Sequence, residues 1–564
     1  THRSVALKSY AHGGGDTPLL GVTVGQLLDT AARRWPDNDA LIVVDQGVRW
    51  NWRELRERAR NFAAGLIALG LQPGERVGML ATNRAEWLVA QFGTACAGLV
   101  LVNINPAYRT PELEYALKKV GCRALVSEAS YKTSDYIAML NELAPELAAS
   151  EPGHLHSARL PDLRIVIRLG TERSAGMFNF DDIAAKAGPG EFEVLKTIGA
   201  ELDFDAPINI QFTSGTTGSP KAATLTHHNI VNNASMSASI MKFTERDRLC
   251  MPVPMYHCFG MVLGTLLCTS SGAAIVLPAA GFEADACLRA IEAERCTAVH
   301  GEPTMFIAML DEPGFADRDT TSLRTGIMAG APCPIELMHR VIDEMHLGEI
   351  TIGYGMTETG PLSTQTLPGD PIELRVGTVG RPLPNTEIKI IDESGRIVPR
   401  GEPGELCTRG YNVMRGYWGD PERTARDIDD ARWIRTGDVA TMDENSYVRI
   451  VGRSKDMLIR GGENIYPREI EEFLYTHPKV EQAEVVGVPD PKFGEEVAAW
   501  IKLREGQTAN EEEIREYCKG RLAHFKIPKY IRFVDEYPMT VTGKVQKYLI
   551  RESMAEELEQ KKTA

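Results

Sequence analysis

Over the first four-fifths of the chain, short apolar runs typical of strands alternate with segments that have a helical pattern of apolar and polar positions. Short apolar runs predict strands at Ala40 to Val44, Arg76 to Leu80 and Leu99 to Val102. Between the strands, Asn51-Trp52-Arg53-Glu54 has the pattern of a capping box opening a helix toward Leu69, and a second helix is predicted from Arg84 to Ala97. This βαβ order predicts an α/β fold with layered, mostly parallel sheets covered by helices.

The pattern changes in two later regions. It is weak between about 144 and 200, which predicts an insertion or a long connection. A second rhythm begins near Arg453, with a helix from Pro467 through Tyr475 and strands at Glu484 to Val488 and Val497 to Lys502. We therefore predict a large N-terminal domain at 1–452 and a small α+β C-terminal domain at 453–564.

Composition narrows the classes of function. The chain has 564 residues, too many for one core, and its net charge of −15 argues against a nucleic-acid or anionic-membrane partner. The most apolar stretch, Met261 to Leu277, is interrupted by polar residues, so it predicts a buried core element and no transmembrane segment. Ten cysteines without a C-x-x-C pair indicate buried free thiols in a reducing compartment.

The N-terminal segment has no signal-peptide pattern, which favours a cytoplasmic protein. Because the sequence starts at Thr1 without methionine, an organelle matrix reached through a removed leader stays open. No heptad or apolar patch decides the oligomeric state, and a homodimer is compatible with the sequence.

The densest chemical signal is the segment Thr213-Ser214-Gly215-Thr216-Thr217-Gly218-Ser219-Pro220-Lys221, which follows an apolar strand at Ile208 to Phe212. Its two glycines permit a close approach of backbone N–H groups to an anion, while its hydroxyls and lysine bind phosphate oxygens. It is not a Walker A loop, because Pro220 and Ala222 occupy the positions of that motif's glycine and hydroxyl residue. The alternative is an ordinary polar turn, and the density of phosphate ligands favours phosphate binding.

Four further polar clusters are weaker when taken alone. They are Gly353-Tyr354-Gly355-Met356-Thr357-Glu358, Thr436-Gly437-Asp438, Arg453-Ser454-Lys455-Asp456 and Gly543-Lys544. Tyr354 is suited to stacking on a base and Glu358 to holding Mg²⁺ through oxygen. Each cluster also has an ordinary interpretation, as a strand end, an Asx-turn, a solvated charge run or an exposed lysine.

Taken in order, the five motifs resemble the adenylate-forming superfamily of acyl-CoA synthetases, peptide-synthetase adenylation domains and beetle luciferases. The resemblance covers roughly Thr23 to Arg551. It is strongest to the medium-chain fatty-acid branch of the AMP-forming acyl-CoA synthetases, particularly in the segment from Gly452 to Pro467. The resemblance implies an acid–thiol ligase that forms an acyl-adenylate and pyrophosphate from a carboxylic acid and ATP, and then acyl-CoA and AMP with coenzyme A.

The resemblance also implies roles for individual residues in the first half-reaction. Thr213 to Lys221 would bind the β- and γ-phosphates, Thr357 the α-phosphate, and Glu358 Mg²⁺. Tyr354 would stack on adenine opposite Gly330-Ala331-Pro332, beside Gly355 and Met356, and Asp438 and Arg453 would bind the ribose. Lys544 would bridge the carboxylate and the α-phosphate, with Lys221 and Thr357 as the other catalytic groups.

For the second half-reaction, the resemblance implies a swing of the C-terminal domain about a hinge at Lys455, bringing Gly461, Gly462 and Glu463 near the CoA thiol. The acid pocket would include His257, Phe259, Gly260 and Gly301. Its segments lack lysine and arginine, which favours a monocarboxylic aliphatic acid; Glu302 is the only carboxylate in them. The alternative is a stand-alone adenylation enzyme that loads another carboxylic or amino acid onto a carrier protein.

Overall fold

The computed structural model describes residues 7–213, 219–330, 333–461, 463–540 and 544–563. Its helices alternate with strands through most of the chain. They are Val24–Arg34, Trp52–Ala68, Ala85–Cys96, Thr110–Lys119, Tyr136–Leu143, Phe180–Ile183, Pro189–Glu201, His227–Ile240, Cys258–Gly260, Leu267–Ser271, Ala284–Glu294, Pro303–Leu310, Ile335–Asp343, Ile372–Gly377, Pro421–Asp427, Pro467–Tyr475, Glu511–Cys518 and Lys547–Thr563. No described helix is both long and apolar enough to cross a bilayer.

The largest sheet has eight strands and is parallel except at one edge. In spatial order they are Phe178–Asn179, Ile165–Arg168, Cys122–Ser127, Arg76–Leu80, Val100–Asn103, Pro207–Thr213, Lys221–Thr226 and Gly416–Tyr417. A second, five-stranded sheet is also mainly parallel: Ala298–Val299, Arg248–Cys250, Ala274–Leu277, Asp39–Val43 and Val48–Asn51. The predicted α/β class with layered parallel sheets is confirmed.

The later part of the chain contributes to two sheets that are mainly antiparallel, which the βαβ pattern did not predict. One has five strands: Tyr10–His12, Thr386–Ile391, Gly404–Gly410, Ile434–Met442 and Val448–Arg453. A smaller sheet has four: Ile327–Met328, Thr351–Gly355, Leu362–Gln365 and Arg381–Pro382. A short hairpin joins Ser130–Tyr131 to Ser134–Asp135. In the four-stranded sheet, Ile327–Met328 and Thr351–Gly355 are parallel and are connected through the helix Ile335–Asp343, while the other neighbouring strands pair antiparallel.

The C-terminal residues build a separate sheet from Glu463–Ile465, Leu458–Arg460, Gly494–Leu503, Val480–Asp490 and Tyr530–Phe533. The helices Pro467–Tyr475 and Glu511–Cys518 pack with one apolar cluster and Lys547–Thr563 with another. The boundary predicted between 452 and 453 stays a proposal: Arg453 is the last residue of the preceding sheet, and Leu458–Arg460 is the next strand and belongs to the new one.

Local signals account for several elements. The side chain of Asn51 accepts a hydrogen bond from the Glu54 backbone, and that of Glu54 accepts one from the Asn51 backbone, which starts Trp52–Ala68 as the capping box predicted. The prediction for 144–200 is wrong, because Ile165–Arg168 is a fully buried strand of the largest sheet. Such a strand has no polar alternation to reveal it in the sequence. All ten cysteines are free and buried, as predicted.

Candidate active site

The two ends of the hydroxyl-rich segment are fixed by an antiparallel strand pair. Thr213 ends one strand, Lys221 begins the next, and the two residues face each other across the pair. The Tyr115 hydroxyl donates to the Pro220 carbonyl over 2.9 Å. Ser214, Gly215, Thr216, Thr217 and Gly218 lie outside the described residues. Within the described part of the chain, the buried Thr213 hydroxyl has no hydrogen-bond partner.

Lys221 points toward the carboxylate of Glu358. Lys221 Nζ lies 3.8 Å from Glu358 Oε1 and donates to the Tyr417 hydroxyl over 3.2 Å. The same hydroxyl is 2.9 Å from Glu358 Oε1 and 3.2 Å from Asp427 Oδ2, and it donates its single proton to one of them at a time. Burial, followed by the charge of Glu358, raises the pKa of Tyr417, so this hydroxyl stays protonated. The structure thus joins a lysine, a tyrosine and a carboxylate from three separate segments.

A second group contains Tyr354, Asp438 and Arg453. The Tyr354 hydroxyl donates to Asp438 Oδ2 over 2.6 Å, and Arg453 Nε lies 3.0 Å from Asp438 Oδ1. Asp438 and Arg453 are cross-strand partners in the antiparallel sheet, which places both side chains on one face. Asp438 is buried, while Arg453 is half exposed and has further N–H groups to offer a ligand.

The segment that follows Tyr354 turns between these two groups. Gly355 ends the strand Thr351–Gly355, and Thr357 and Glu358 lie in a 3₁₀ turn, Thr357–Thr359. The Met356 N–H donates to the Thr359 hydroxyl over 3.1 Å, which holds the turn together. Glu358 is buried and Thr357 half-buried, so the turn offers a hydroxyl toward solvent beside a sheltered carboxylate.

Lys544 reaches this region from near the C-terminus. It retains exposed surface, yet burial of its ammonium by surrounding protein lowers its pKa, and the charge of Arg453 lowers it further. The carboxylates of Glu358, Glu302 and Asp438 act in the opposite direction. Lys544 therefore lies among side chains from the two groups described above.

His257 lies close enough to Lys544 for the ammonium charge to act on its imidazole. Burial and then the charge of Lys544 lower the pKa of His257 to about 4, so its imidazole is neutral at pH 7. The ring packs against Tyr256 with centroids 4.5 Å apart. Two buried amides support this turn: Gln211 Oε1 accepts from the Cys258 N–H over 3.1 Å, and Asn103 Nδ2 donates to the Tyr256 carbonyl over 2.9 Å.

The remaining residues predicted for the acid pocket are neighbours of His257. The Phe259 ring stacks on buried His300 with centroids 5.5 Å apart, and Gly301 follows directly in the chain. Gly260 permits close packing, because a Cβ there would lie 2.2 Å from the Pro254 carbonyl oxygen. A six-residue π-helix, Met261–Leu266, continues from this turn. Such segments occur frequently at functional sites.

Gly330 faces Glu302. Its φ of +93° favours glycine, and a Cβ there would lie 3.1 Å from the Glu302 carboxylate. Burial raises the pKa of Glu302 while Lys544 lowers it, so the carboxylate borders the same cleft. Ala331 and Pro332, predicted to line the adenine site with Gly330, lie outside the described residues.

The predicted hinge and CoA residues lie in the C-terminal region. Lys455 is in the turn between the strands Val448–Arg453 and Leu458–Arg460. Burial lowers the pKa of Lys455, and the positive charge of Arg453 lowers it further. The Gly461 N–H donates to the Phe493 carbonyl over 2.8 Å. Glu463 is exposed at the start of the strand Glu463–Ile465, and Gly462 lies outside the described residues. Gly461 is thus bonded to the turn that joins the strands Val480–Asp490 and Gly494–Leu503.

Family models match most of the chain. The AMP-binding enzyme family matches residues 28–418, and the AMP-binding enzyme C-terminal domain matches residues 469–544. The chain belongs to the AMP-binding enzyme family. The predicted membership in the adenylate-forming enzymes, within the acyl-CoA synthetases, is therefore confirmed.

Relatives in this family are similar over almost their whole length. The chain is 49% identical to the putative acyl-CoA synthetase YngI of Bacillus subtilis (strain 168), covering 95% of this chain and 98% of the relative. It is 47% identical to the mitochondrial medium-chain acyl-CoA ligase ACSF2 of Danio rerio, covering 98% and 91%. A solved structure of the anthranilate CoA ligase AuaEII in complex with anthranoyl-AMP superposes with a TM-score of 0.84 at 27% identity, covering 95% and 98%.

Sequence reasoning missed several residues of this family member's site. Tyr417, Asp427 and Tyr115 lie in segments that look like ordinary strands and helices, so no local signal marks them. Gln211 and Asn103 are polar residues in otherwise apolar strands, which is a usable signal, since buried amides need partners. The sequence does not show which way the Glu302 side chain points, and the structure places it beside Gly330.

Proposed function

We propose that this chain is an ATP-dependent fatty-acid–CoA ligase that acts on medium-chain acids. The observation that supports this proposal most directly is the position of Lys544, whose pKa is raised by the negative charges of Glu358, Glu302 and Asp438 against the lowering effect of burial. A cation there suits the joining of two anions, a carboxylate and the α-phosphate of ATP. The similarity to acyl-CoA and medium-chain acyl-CoA ligases supports the class of substrate.

In the first half-reaction, a carboxylate oxygen attacks the α-phosphorus and pyrophosphate leaves. We propose that the Lys544 ammonium contacts both the carboxylate and the α-phosphate, and that its positive charge offsets their repulsion in the transition state. Thr357 donates to the α-phosphate. Thr213, Ser219 and Lys221, with the segment between them, bind the departing phosphates.

We propose that Tyr354, Asp438 and Arg453 bind the nucleoside part of ATP. We assign the Tyr354 ring to the adenine face and the Asp438–Arg453 pair to the ribose hydroxyls. The pair offers an acceptor and donors together, as a diol requires. Because Tyr354 already donates to Asp438, the base and ribose contacts are held at one fixed separation.

Glu358 is our candidate for holding Mg²⁺. A single protein carboxylate, completed by phosphate and water oxygens, fits the ligand preference of this ion. Bound there, Mg²⁺ would supply positive charge to the phosphates. The Tyr417 hydroxyl leaves three of the four lone-pair sites of Glu358 free of that donor.

In the second half-reaction, the CoA thiol attacks the acyl carbonyl and AMP leaves. We assign Lys455 as the hinge about which the C-terminal domain turns, and Gly461, Gly462 and Glu463 to the thiol's approach. His257, neutral at pH 7, contacts the acid without adding charge to its aliphatic pocket.

The test is AMP release from ATP and Mg²⁺ with unbranched acids of graded length, aryl acids and amino acids, each with and without CoA. CoA-dependent turnover that peaks at a medium-length aliphatic acid supports the proposal, and Lys544→Ala should lower the rate of adenylate formation at least ~100-fold. Turnover that is indifferent to CoA or peaks on an amino acid would instead indicate an enzyme that loads a carrier protein.

A further inference from the structure

The segments on either side of Lys544 pair with each other. Met539 and Val545 form an antiparallel bridge, and the Gln546 N–H donates to the Pro538 carbonyl over 2.8 Å. The Thr540 N–H donates to the Lys544 carbonyl over 2.7 Å, and the Lys544 N–H donates to the Thr540 hydroxyl over 3.0 Å. Residues 537–540 and 544–547 therefore form two paired segments, and this pairing fixes the backbone of Lys544 relative to the segment 537–540.

Tyr537 attaches the first segment to the C-terminal sheet. Its hydroxyl lies 2.9 Å from the Trp500 carbonyl and 3.0 Å from the Gln482 carbonyl, on two neighbouring strands. Its ring packs against the apolar cluster that includes Trp500 and Ile550. Burial raises the pKa of Tyr537, so the hydroxyl remains a donor.

Lys547 attaches the second segment. Its ammonium is bonded to the Glu471 carboxylate, lies 3.2 Å from the Val485 carbonyl, and is 3.8 Å from Glu484 Oε2. The side chains of Lys547, Glu471 and Glu484 are only 18%, 14% and 13% exposed. Breaking a buried ion pair by removing one partner leaves an uncompensated charge, so this attachment is strong.

The location of Lys547 also argues for a specific role. It is the first residue of the helix Lys547–Thr563, where the helix dipole disfavours a positive charge. The carboxylates of Glu471, on the helix Pro467–Tyr475, and Glu484, on the strand Val480–Asp490, offset that cost. A lysine that served only solubility would be placed at an exposed position, as Lys561 is.

We propose that Tyr537 and Lys547 are positioning residues that hold Lys544 in place for adenylate formation. Lys547 follows Lys544 with only two residues between them, and Tyr537 secures the segment that pairs with them, so both attachments limit the reach of the Lys544 ammonium. The catalytic consequence rests on the proposed function, in which Lys544 acts in the first half-reaction. Small misplacements of such a group cost large factors in rate.

The experiment compares two half-reactions in the full-length protein. Adenylate formation is followed by ATP–pyrophosphate exchange with the preferred acid, and thioester formation by reaction of preformed acyl-adenylate with CoA. The variants are Lys547→Met, Lys547→Arg and Tyr537→Phe. The matched controls are Lys561→Met, on the exposed side of the same helix, and Tyr548→Phe, whose ring is exposed.

We expect Lys547→Met to slow exchange ~30- to 100-fold and Tyr537→Phe ~5- to 10-fold, with thioester formation within ~3-fold of wild type. Lys547→Arg keeps the charge and should recover most of the exchange rate. Both controls should match wild type. Equal losses in the two half-reactions, or a Lys547→Met variant that behaves like Lys561→Met, would overturn the proposal.

A second readout needs no catalysis. Trypsin cleavage after Lys544, followed by mass spectrometry under native conditions, reports how often the paired segments open. We expect it to be ~10-fold faster in Lys547→Met and faster in Tyr537→Phe than in wild type. Unchanged cleavage in both variants overturns the attachment. Faster cleavage in a protein whose wild type activates no acid would support the attachment while rejecting the proposed function.

Discussion

At the scale of single residues, Tyr417 connects two side chains from distant parts of the sequence. Its hydroxyl accepts from Lys221 and donates toward Glu358, which keeps the ammonium 3.8 Å from the carboxylate. Without this bridge, the two charges would be free to close into a direct ion pair. A lysine paired in that way has less positive charge to offer a phosphate.

We therefore expect Tyr417→Phe to lower adenylate formation by ~10- to 100-fold, the cost of a hydrogen bond to a charged group, and to raise the Mg²⁺ concentration needed for half-maximal rate. The measurement is ATP–pyrophosphate exchange over a Mg²⁺ titration. Tyr411→Phe, a buried tyrosine that bonds the neutral Asn233, is the matched control. A Mg²⁺ dependence identical to wild type would contradict this role.

At the scale of elements, one strand serves two parts of the site. Pro207–Thr213 ends at the phosphate segment, and its Gln211 accepts from the Cys258 N–H next to His257. Gln211 also donates to Asn209, which in turn donates to Asn103. This chain of buried amides fixes the acid segment relative to the strand.

Replacing Gln211 by leucine should leave the Cys258 N–H without its partner and displace His257. We expect a KM for the acid raised ~10-fold, with the KM for ATP within ~3-fold, and a loss of roughly 1–3 kcal/mol in stability. Steady-state kinetics with each substrate varied in turn is the measurement. Gln365→Leu removes an equally buried glutamine whose bonds are with Ser237 and Thr351. Equal changes in both KM values would reject the assignment.

The docking of helices onto the C-terminal sheet has a pH dependence of its own. Burial, and then the charge of Glu471, raise the pKa of Glu484 from 4.5 to about 7, while Lys547 and Gln482 oppose the shift. Asp456 also raises it, and Tyr475 and Tyr537 face the same carboxylate. The folded state thus holds the Glu484 proton more tightly than the unfolded state does.

This raised pKa contributes stability that is present below pH ~4.5 and is lost as the pH rises through about 7. We expect the free energy of unfolding of this sheet to decrease with pH between roughly 5 and 8, and Glu484→Gln to flatten that decrease. Urea titrations read by hydrogen exchange in 480–490 provide the measurement. Glu481→Gln, on the exposed face of the same strand, should keep the wild-type slope. Parallel curves for wild type and Glu484→Gln would contradict the prediction.

At the scale of the whole molecule, the site combines residues from the two predicted domains. The proposed reaction needs Lys544 in the cleft for one step and out of it for the next. The turn that contains Lys455 joins the last strand of one sheet to the first strand of another. A rotation there would move the entire C-terminal sheet as one body.

Lys455→Pro tests that rotation, because proline fixes φ near −65°. We expect thioester formation to fall at least ~10-fold while adenylate formation stays within ~3-fold of wild type. Lys455→Ala removes the same side chain but keeps the backbone freedom, and it should retain both activities. Normal rates for both steps in Lys455→Pro would exclude a hinge at this residue.

Much of this architecture was predictable from the sequence. The capping box at Asn51 and Glu54 starts a helix where predicted, and Arg76–Leu80 is a strand with the predicted bounds. Both signals are local, since they depend on neighbouring residues and on one periodicity. By contrast, the buried strand Ile165–Arg168 has no polar alternation, and the antiparallel sheets depend on pairings between distant segments.

The family, the order of the motifs and the types of side chain available for phosphate, base and carboxylate can all be inferred from the amino-acid sequence alone. These are properties of short segments, where chemistry depends on composition and spacing. Three contacts become evident only once the chain is folded: Tyr417 joins Lys221 to Glu358, Gln211 supports the turn at His257, and Lys547 is buried against Glu471. Such contacts depend on how distant elements pack together, and packing leaves no trace in the local pattern.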